Sequence, residues 1–410
     1  MLKGYGDGKR SRILFLTNNT VGTGEYIRAF SLARRLAKRS YEPTVVASAP
    51  GAGLHKLRTT KHGVTVLTFA DPTPRWLRSK GFSPVDIGLR IRALRGVDFD
   101  LIHTYGHRPS VSIPARALRR QRKSLIIADW ADLWGYGGIA DERGWLGRNT
   151  IGRLDDMLER RYRSESDALI VATDHLRGLA ISWGMAESRV LQMPAGANPD
   201  LITPLDKEKA RREFGVPAGA PVIVYSGFSH FDLPYLSDVI GQLAILDPSV
   251  VLLMIGRRRL PRELAELQRS GTAKILSFGP VDYAAMGKLL ACGDLMFVPL
   301  PKRGLNLGRF PNRIGDYMAA GRPIVTNRGT DVGRVVRGAR IGIAADDSPK
   351  EMALAILELL EKPDLLESMG RRSRQMAETR YSWDRLADKL HRFYTEVLGL
   401  GVSRGRSHVG

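Results

Sequence analysis

The residues richest in chemistry lie between positions 301 and 316, where Arg303-Gly-Leu-Asn-Leu-Gly-Arg-Phe-Pro-Asn-Arg313 leads into a helical pattern with Asp316 in its first turns. A glycine-bearing loop entering a helix N-terminus presents backbone N–H groups and a favourable dipole, which suits a phosphate. Arg303, Arg309 and Arg313 add planar cations suited to a diphosphate. The same stretch also reads as a surface loop with a proline-started helix, and Asp316 as an acid that favours the dipole. A second glycine loop, Val21-Gly-Thr-Gly-Glu25, follows an apolar run; Gly22, Thr23 and Gly24 either let the backbone approach an anion or form an ordinary strand-to-helix turn. Asp129-Trp-Ala-Asp-Leu-Trp134 sets two carboxylates after another apolar run. Asp132 is preferred over Asp129 for contact with a reacting hydroxyl, and helix capping is the alternative for both. His107 is a further candidate for the site, whereas His103 reads as a hydrogen-bonded structural residue. No cluster has metal-ligand spacing, and Asp98-Phe-Asp100 precedes its strand, where a metal-diphosphate site needs carboxylates at the far end.

These residues need a scaffold, and the apolar pattern supplies one. The 410 residues are 43% hydrophobic, enough for two cores of ordinary size. Strand-like runs at 12–17, 43–48, 64–69, 101–104, 124–128, 168–172 and 190–193 alternate with amphipathic helical patterns, which predicts an α/β domain with a parallel sheet over residues 1–204. Asn198-Pro-Asp-Leu-Ile-Thr-Pro204 reads as a linker. A second series at 221–225, 250–255, 274–278, 295–298, 323–326 and 342–344 predicts another such domain over 205–382. Residues 383–398 form a strong amphipathic helix, and 399–410 read as a flexible tail. The single cysteine, Cys292, excludes an internal disulfide and a thiolate zinc site.

The stretch Phe310-Pro-Asn-Arg-Ile-Gly-Asp-Tyr-Met-Ala-Ala-Gly-Arg-Pro-Ile-Val325 resembles the donor-sugar motif of family 4 glycosyltransferases with the two-domain GT-B fold. Further landmarks follow in the family's order: the loop at 21–25, Phe99-Asp-Leu-Ile-His103, Ser166-Asp-Ala-Leu-Ile-Val-Ala-Thr173, Met193-Pro-Ala-Gly-Ala-Asn198, Tyr225-Ser-Gly227, Leu253-Met-Ile-Gly256, Phe278-Gly-Pro-Val-Asp-Tyr283 and Gly293-Asp-Leu-Met-Phe-Val-Pro299. The resemblance implies two Rossmann-like domains facing across a cleft, with the helix at 383–398 packing back toward the N-terminal one. It implies a sugar moved with retention, without metal or other cofactor, from a nucleotide-sugar donor held mainly by the C-terminal domain to a glycan or lipid-linked acceptor held mainly by the N-terminal one. On that basis Gly22, Thr23, Gly24, Gly227, Arg257, Arg309, Phe310, Pro311, Asn312, Arg313 and Asp316 are the donor-binding candidates, and Asp132, Asp129 and His107 the catalytic ones.

Two departures qualify the resemblance. The second acid of the family's Glu, seven residues, Glu pattern falls on Asp316, the ribose-binding position, but the first falls on Gly308. The Arg/Lys pair of the loop after Gly227 is replaced by Phe228-Ser-His-Phe-Asp-Leu233, which transfers the diphosphate role to Arg309 and Arg313, with Arg257 beside them. A non-catalytic binding or scaffold relative is therefore the competing reading, and an epimerase of the same fold a weaker one.

Charge adds the last expectation. Lys and Arg exceed Asp and Glu by 21, and residues 75–123 alone hold 12 basic against 3 acidic side chains. Cations mixed with Trp76, Leu77, Ile87 and Ile91 suit the surface of an anionic membrane; a solvated basic face is the alternative. No recognition motif or ordered aromatic face favours nucleic acid. With no membrane-spanning run and no signal-peptide pattern, the expected place is the cytoplasm, including the inner face of the membrane.

Overall fold

The computed structural model describes the chain except residues 1–9, 50, 52, 79, 228, 257–258 and 405–410. It divides into two compact units: one of residues 1–194 together with 383–410, the other of 195–382. The chain thus leaves the first unit at Pro194, ahead of the expected linker. The reason is that Ala197 bridges to Ser382, and its N–H donates to the Tyr381 carbonyl at 2.7 Å, so 195–204 already belongs to the second unit.

The first unit is built on β1 (Ser11–Thr20), β2 (Tyr41–Ser48), β3 (His55–Lys61), β4 (Val64–Ala70), β5 (Leu101–Tyr105), β6 (Leu125–Trp130), β7 (Ala168–Val171) and β8 (Val190–Gln192). They lie in the order β3-β4-β2-β1-β5-β6-β7-β8. Seven of these were legible as apolar runs buried on both sides of a parallel sheet. The exception is β3, whose sequence is polar because it is an edge, antiparallel to β4. His62 (φ 52°) and Gly63 (φ 74°) make the two-residue turn that joins the pair, both in the left-handed region that such hairpins require.

The helix Trp383–Arg404 closes this unit's core with Trp383, Leu386, Leu390, Phe393 and Val397, beside the helix Glu25–Leu36. It runs past position 398 to Arg404, so the expected tail is helical in its first part, and 405–410 lie outside the described residues. His103 is structural as expected: it is buried in β5, and its Nδ1 meets the Tyr394 hydroxyl of that last helix at 2.5 Å.

The second unit is wholly parallel: β9 (Val222–Ser226), β10 (Val251–Ile255), β11 (Lys274–Phe278), β12 (Leu295–Val298), β13 (Ile324–Asn327) and β14 (Gly342–Ala345), in the order β11-β10-β9-β12-β13-β14. The strand order reverses between β9 and β12 here, and between β1 and β5 in the first unit. Ligands of doubly wound sheets bind beyond the carboxyl ends of the strands at such a reversal, because adjacent loops there run to opposite faces and leave a crevice.

Backbone proximity fixes where the short helix Arg313–Ala319 sits. A Cβ added at Gly315 would lie 2.1 Å from the Gly196 carbonyl oxygen. Gly315→Ala must push the helix away from 196–197, and about 1–3 kcal/mol of overpacking is expected. Denaturant unfolding of the variant measures it; unchanged stability would contradict the packing described.

Candidate functional site

In the second unit the loop after β9 and the loop after β12 meet at the strand-order reversal. Gly227 (φ 85°) ends β9 and Gly256 (φ 111°) ends β10; a Cβ on Gly256 would stand 3.4 Å from the Gly227 backbone, so the two turns are in contact. Opposite them, the helix Gly304–Leu307 ends at Gly308 and Arg309 follows. Phe310 is buried and stacks on Tyr381 at 6.1 Å, Pro311 is half-buried, and Asn312 is exposed as the residue before the helix Arg313–Ala319.

The two arginines expected to face a diphosphate are already engaged. Asp232, in the loop after β9, is fully buried and accepts hydrogen bonds from Arg309 Nη2 on one oxygen and from Arg313 Nη2 on the other. Arg309 also donates from Nε to Asn306 Oδ1 (2.9 Å) and from Nη1 to Ser229 Oγ (3.1 Å). Arg313 donates from Nη1 to the Ser226 carbonyl (2.9 Å) and lies over the Tyr225 ring at 4.6 Å. Burial alone pushes the Asp232 carboxyl up, but Arg313 and Arg309 outweigh it and hold it below the ordinary carboxylate value. Arg303 turns to the same loop and donates to the Phe231 carbonyl. Asp232 gave no signal in the sequence beyond being an acid where the family pattern has a cation. The N–H groups of Ile314 and Gly315 bond back to Pro311 and Asn312, so the helix start offers a phosphate fewer donors than its sequence suggested. Arg257 lies outside the described residues.

Asp316 stands apart from this cluster. It is half-buried, and its Oδ1 accepts the Tyr283 hydroxyl at 2.5 Å, while Asn198 Nδ2 donates to that hydroxyl at 3.3 Å. Burial raises its pKa to about 7, and the Tyr283 hydrogen bond offsets only part of that.

In the first unit, Gly22 (φ 82°), Thr23 and Gly24 (φ 50°) form an exposed loop at the β1–β5 reversal. A Cβ on Gly24 would meet only the movable Asn19 side chain, so it is the left-handed backbone that favours glycine there. Behind the loop stands Glu25, the first residue of the helix Glu25–Leu36, for which the sequence suggested no role. Its Oε2 would lie 3.4 Å from a Cβ on Gly106, just after β5. Burial, then the charges of Asp132 and Asp129, raise its pKa to about 8. Asp132 is half-buried beside it, so these two form a carboxyl pair at the carboxyl edge of the sheet.

Asp129 and His107 are placed differently from that pair. Asp129 is buried in β6, 2.8 Å from Arg28 Nε, with His103 Nε2 at 3.7 Å. Burial pushes its pKa up, yet Arg28 and His103 carry it below the ordinary value. Arg28 in turn donates to the carbonyls of Met193 and Pro194, both at 2.8 Å, so Asp129 anchors the end of β8 to the sheet. The His107 side chain is completely enclosed, 3.7 Å from Glu159 and 3.9 Å from Asp155. Burial lowers its pKa to about 4, so it is neutral at pH 7 and has no solvent path for a proton. Glu159 was likewise illegible in the sequence: it accepts from Trp130 Nε1 and from the N–H groups of Trp134 and Gly135 at 2.8–2.9 Å, which fixes the turn carrying Asp132. Burial raises Glu159 to about 7. Among the described residues no three His, Cys, Asp or Glu side chains are grouped to hold a metal ion.

Comparison with known proteins follows the two units. Residues 22–196 match the glycosyl transferase 4-like domain, and residues 220–362 match glycosyl transferases group 1. Spore coat protein SA of Bacillus subtilis is 38% identical over 374 residues, covering 82% of this chain and 90% of that protein. D-inositol 3-phosphate glycosyltransferase of Geodermatophilus obscurus is 27% identical over 252 residues, 58% of this chain; the match spans about half of that relative's length, 54%. The sucrose-phosphate synthase of Thermosynechococcus elongatus superposes with a TM-score of 0.76 at 16% identity over 95% of this chain and 100% of that one, which shows the GT-B fold.

Two expected outcomes test this electrostatic layout. Asp232→Ala leaves two buried guanidinium groups without their carboxylate and should cost about 3–5 kcal/mol in denaturant unfolding; a loss under about 1 kcal/mol, the range of exposed pairs, would contradict its burial. Glu25 ionises near 8 in the folded protein against an ordinary 4.5, so its contribution to stability is complete below pH 4.5 and declines as pH rises toward 8. Glu25→Gln should flatten the stability profile across that interval, and a profile identical to the parent's would show that Glu25 is not perturbed.

Proposed function

Because the chain belongs to the group 1 glycosyltransferases with a glycosyl transferase 4-like N-terminal domain, we propose that it moves a sugar from a nucleotide-sugar donor to a glycan or lipid-linked acceptor. The observation that carries this reading is Asp316. A half-buried carboxyl, oriented by Tyr283 beside the β9–β12 reversal, has acceptor oxygens for the two hydroxyls of a ribose. Gly227 leaves room for the nucleotide's close approach, and the outer N–H groups of Arg309 and Arg313 remain for a diphosphate while Asp232 holds both guanidinium planes in place. Transfer then depends on fixed cations and dipoles that support charge developing on the leaving phosphate, with retention at the transferred carbon and no metal. Glu25, protonated at neutral pH, and Asp132 near it suit the hydroxyls of the acceptor or the sugar; Asp129 and His107 position the backbone around them.

The product would be a cell-surface polysaccharide or glycolipid. The protein would work in the cytoplasm, peripheral to the inner face of the membrane, with nucleic acid no part of its chemistry. No helix among the described residues is long and apolar enough to cross a bilayer. One observation favours a second reading, a binding or scaffold protein without turnover: Asp232 neutralises the arginines, Gly308 supplies no acid, and the similarity to a spore coat protein covers most of the chain.

The deciding measurement is thermal unfolding with UDP-, GDP-, ADP- and dTDP-sugars, since a ligand that binds only the folded protein raises its stability. One donor should shift the parent and not Asp316→Ala. Because Asp316 ionises near 7, affinity for that donor should rise from pH 6 to pH 8 and lose this dependence in Asp316→Asn. Absence of a shift with every donor would favour the scaffold reading, as would binding without sugar transfer.

A further inference from the structure

The basic stretch 75–123 does not form one face. Arg90 is fully buried, held by Asp86 and the carbonyls of Thr17 and Ser110, and Arg108 is buried against Asp155. Trp76 follows the carboxyl end of β4. The last cations of the stretch gather at the opposite end of the sheet, where β6 begins, around a cavity of about 650 Å³ lined by Arg116, Arg119, Arg120, Lys123, Arg161 and Glu165. That volume falls within the roughly 300–1,000 Å³ of small-molecule sites.

Two helices end at this cavity. The helix Pro109–Arg122 brings Arg116, Arg119 and Arg120, with Lys123 as its C-cap, and the helix Arg153–Glu165 brings Arg161 and Glu165. Helix C-termini attract cations, and part of the charge serves that end: Arg119 Nη1 donates to the Glu165 carbonyl at 2.9 Å. Two acids orient the arginines. Glu165 accepts Arg161 Nε on Oε1 and Arg116 Nε on Oε2, each at 2.8 Å. Asp167, just before β7, accepts Arg119 Nη2 at 2.9 Å and is itself fixed by the Ile126 N–H at 2.8 Å. A guanidinium group has five N–H donors in a rigid fork, so arginines oriented in this way keep donors for a further anion.

The charges around the cavity do not balance. Five cations line it against Glu165, and with Asp167 counted beside them three positive charges remain uncompensated. Among the described residues no other acid lines the cavity, and Arg120 and Lys123, both exposed, hold no ion pair. Lys123 also stands in the left-handed region (φ 55°, ψ 25°), at the helix-ending position that favours glycine. An exposed side chain gains no packing there to offset the backbone strain; what the lysine adds is an ammonium group in the cavity wall.

We propose that this cavity binds a small oligophosphate anion, one that carries two or more linked phosphate groups. Guanidinium forks match phosphate oxygens in pairs, and a wall with three uncompensated charges is matched by an anion of comparable charge, which a carboxylate or a single phosphate does not supply. The wall is unsuited to larger polyanionic surfaces. Among the described residues that line it, Leu125 alone is apolar and it is half-buried, and none is aromatic, so the wall has neither the apolar side chains that enter a bilayer nor the rings on which bases stack. The site lies at the end of the sheet opposite Glu25 and Asp132, and it does not depend on the donor role proposed for Asp316.

The test is calorimetric titration of the full chain with inorganic tripolyphosphate, with inorganic phosphate as the comparison. The parent should bind tripolyphosphate roughly tenfold or more tightly than phosphate, and less tightly as salt rises. Arg120→Gln with Lys123→Gly should weaken tripolyphosphate binding by roughly tenfold or more. Because glycine suits the left-handed position and neither side chain holds an ion pair, the unliganded double variant should unfold at the parent's temperature or above it. In the parent alone, where no variant has to fold, tripolyphosphate should slow amide hydrogen exchange over residues 116–126. Absence of binding, equal affinity for the two anions, or full affinity in the double variant overturns the inference. So does protection confined to residues 303–316, because Arg309 and Arg313 would then hold the anion.

Discussion

An excess of arginine has to be folded without burying bare charge, and much of this structure follows from how that is done. A guanidinium group cannot lose its proton, so each buried one needs acceptors on several sides. Arg28 takes Asp129 and the carbonyls ending β8; Arg90 takes Asp86 and carbonyls at 17 and 110; Arg211 takes Asp294 and carbonyls at 220 and 292. Because peptide carbonyls are freed where strands end, these arginines tie strand termini to their connecting loops. The loops that reach the strand-order reversals are therefore held from below by ionic anchors as well as by the apolar core.

The same rule divides the carboxylates into two kinds. Asp129 and Asp232, each facing buried arginine, stay ionised and serve as anchors. Glu25 and Asp316 are placed where burial meets no matching cation strong enough to compensate, and their pKa values rise to about 8 and about 7. A carboxyl that changes protonation near neutral pH can donate as well as accept, which is the property that recognition of hydroxyl groups requires. Each unit thus pairs an anchoring low carboxyl with a raised one at the carboxyl edge of its sheet, and Glu25 and Asp316 are the raised ones that stand half-buried rather than enclosed as Glu159 is.

Not all of the net charge is taken up inside. What remains at the surface gathers where elements meet: the basic cavity near Arg120 and Lys123 lies at the amino end of the first sheet, and Arg161 and Glu165, at the end of the helix Arg153–Glu165, line it as well. Sequence distance merged the cavity with Trp76, and the fold separates them.

Read as sequence, the chain already determined its two parallel-sheet units, thirteen of the fourteen strands and the loops after β1, β9 and β12, because apolar runs alternating with amphipathic helices and glycine-bearing turns are local properties. It also carried the family, through ordered landmarks and Asp316. It did not determine which polar side chains face one another. Asp232 between Arg309 and Arg313, Glu25 beside Asp132, and the enclosure of His107 by Asp155 and Glu159 join residues from 48 to 107 positions apart. Nor could it show that β3 pairs as an edge, or that Asp155 and Glu159 turn inward while Trp145 stays exposed. Periodicity is written along the chain, whereas pairing and burial of charge depend on neighbours that only the closed sheet brings together.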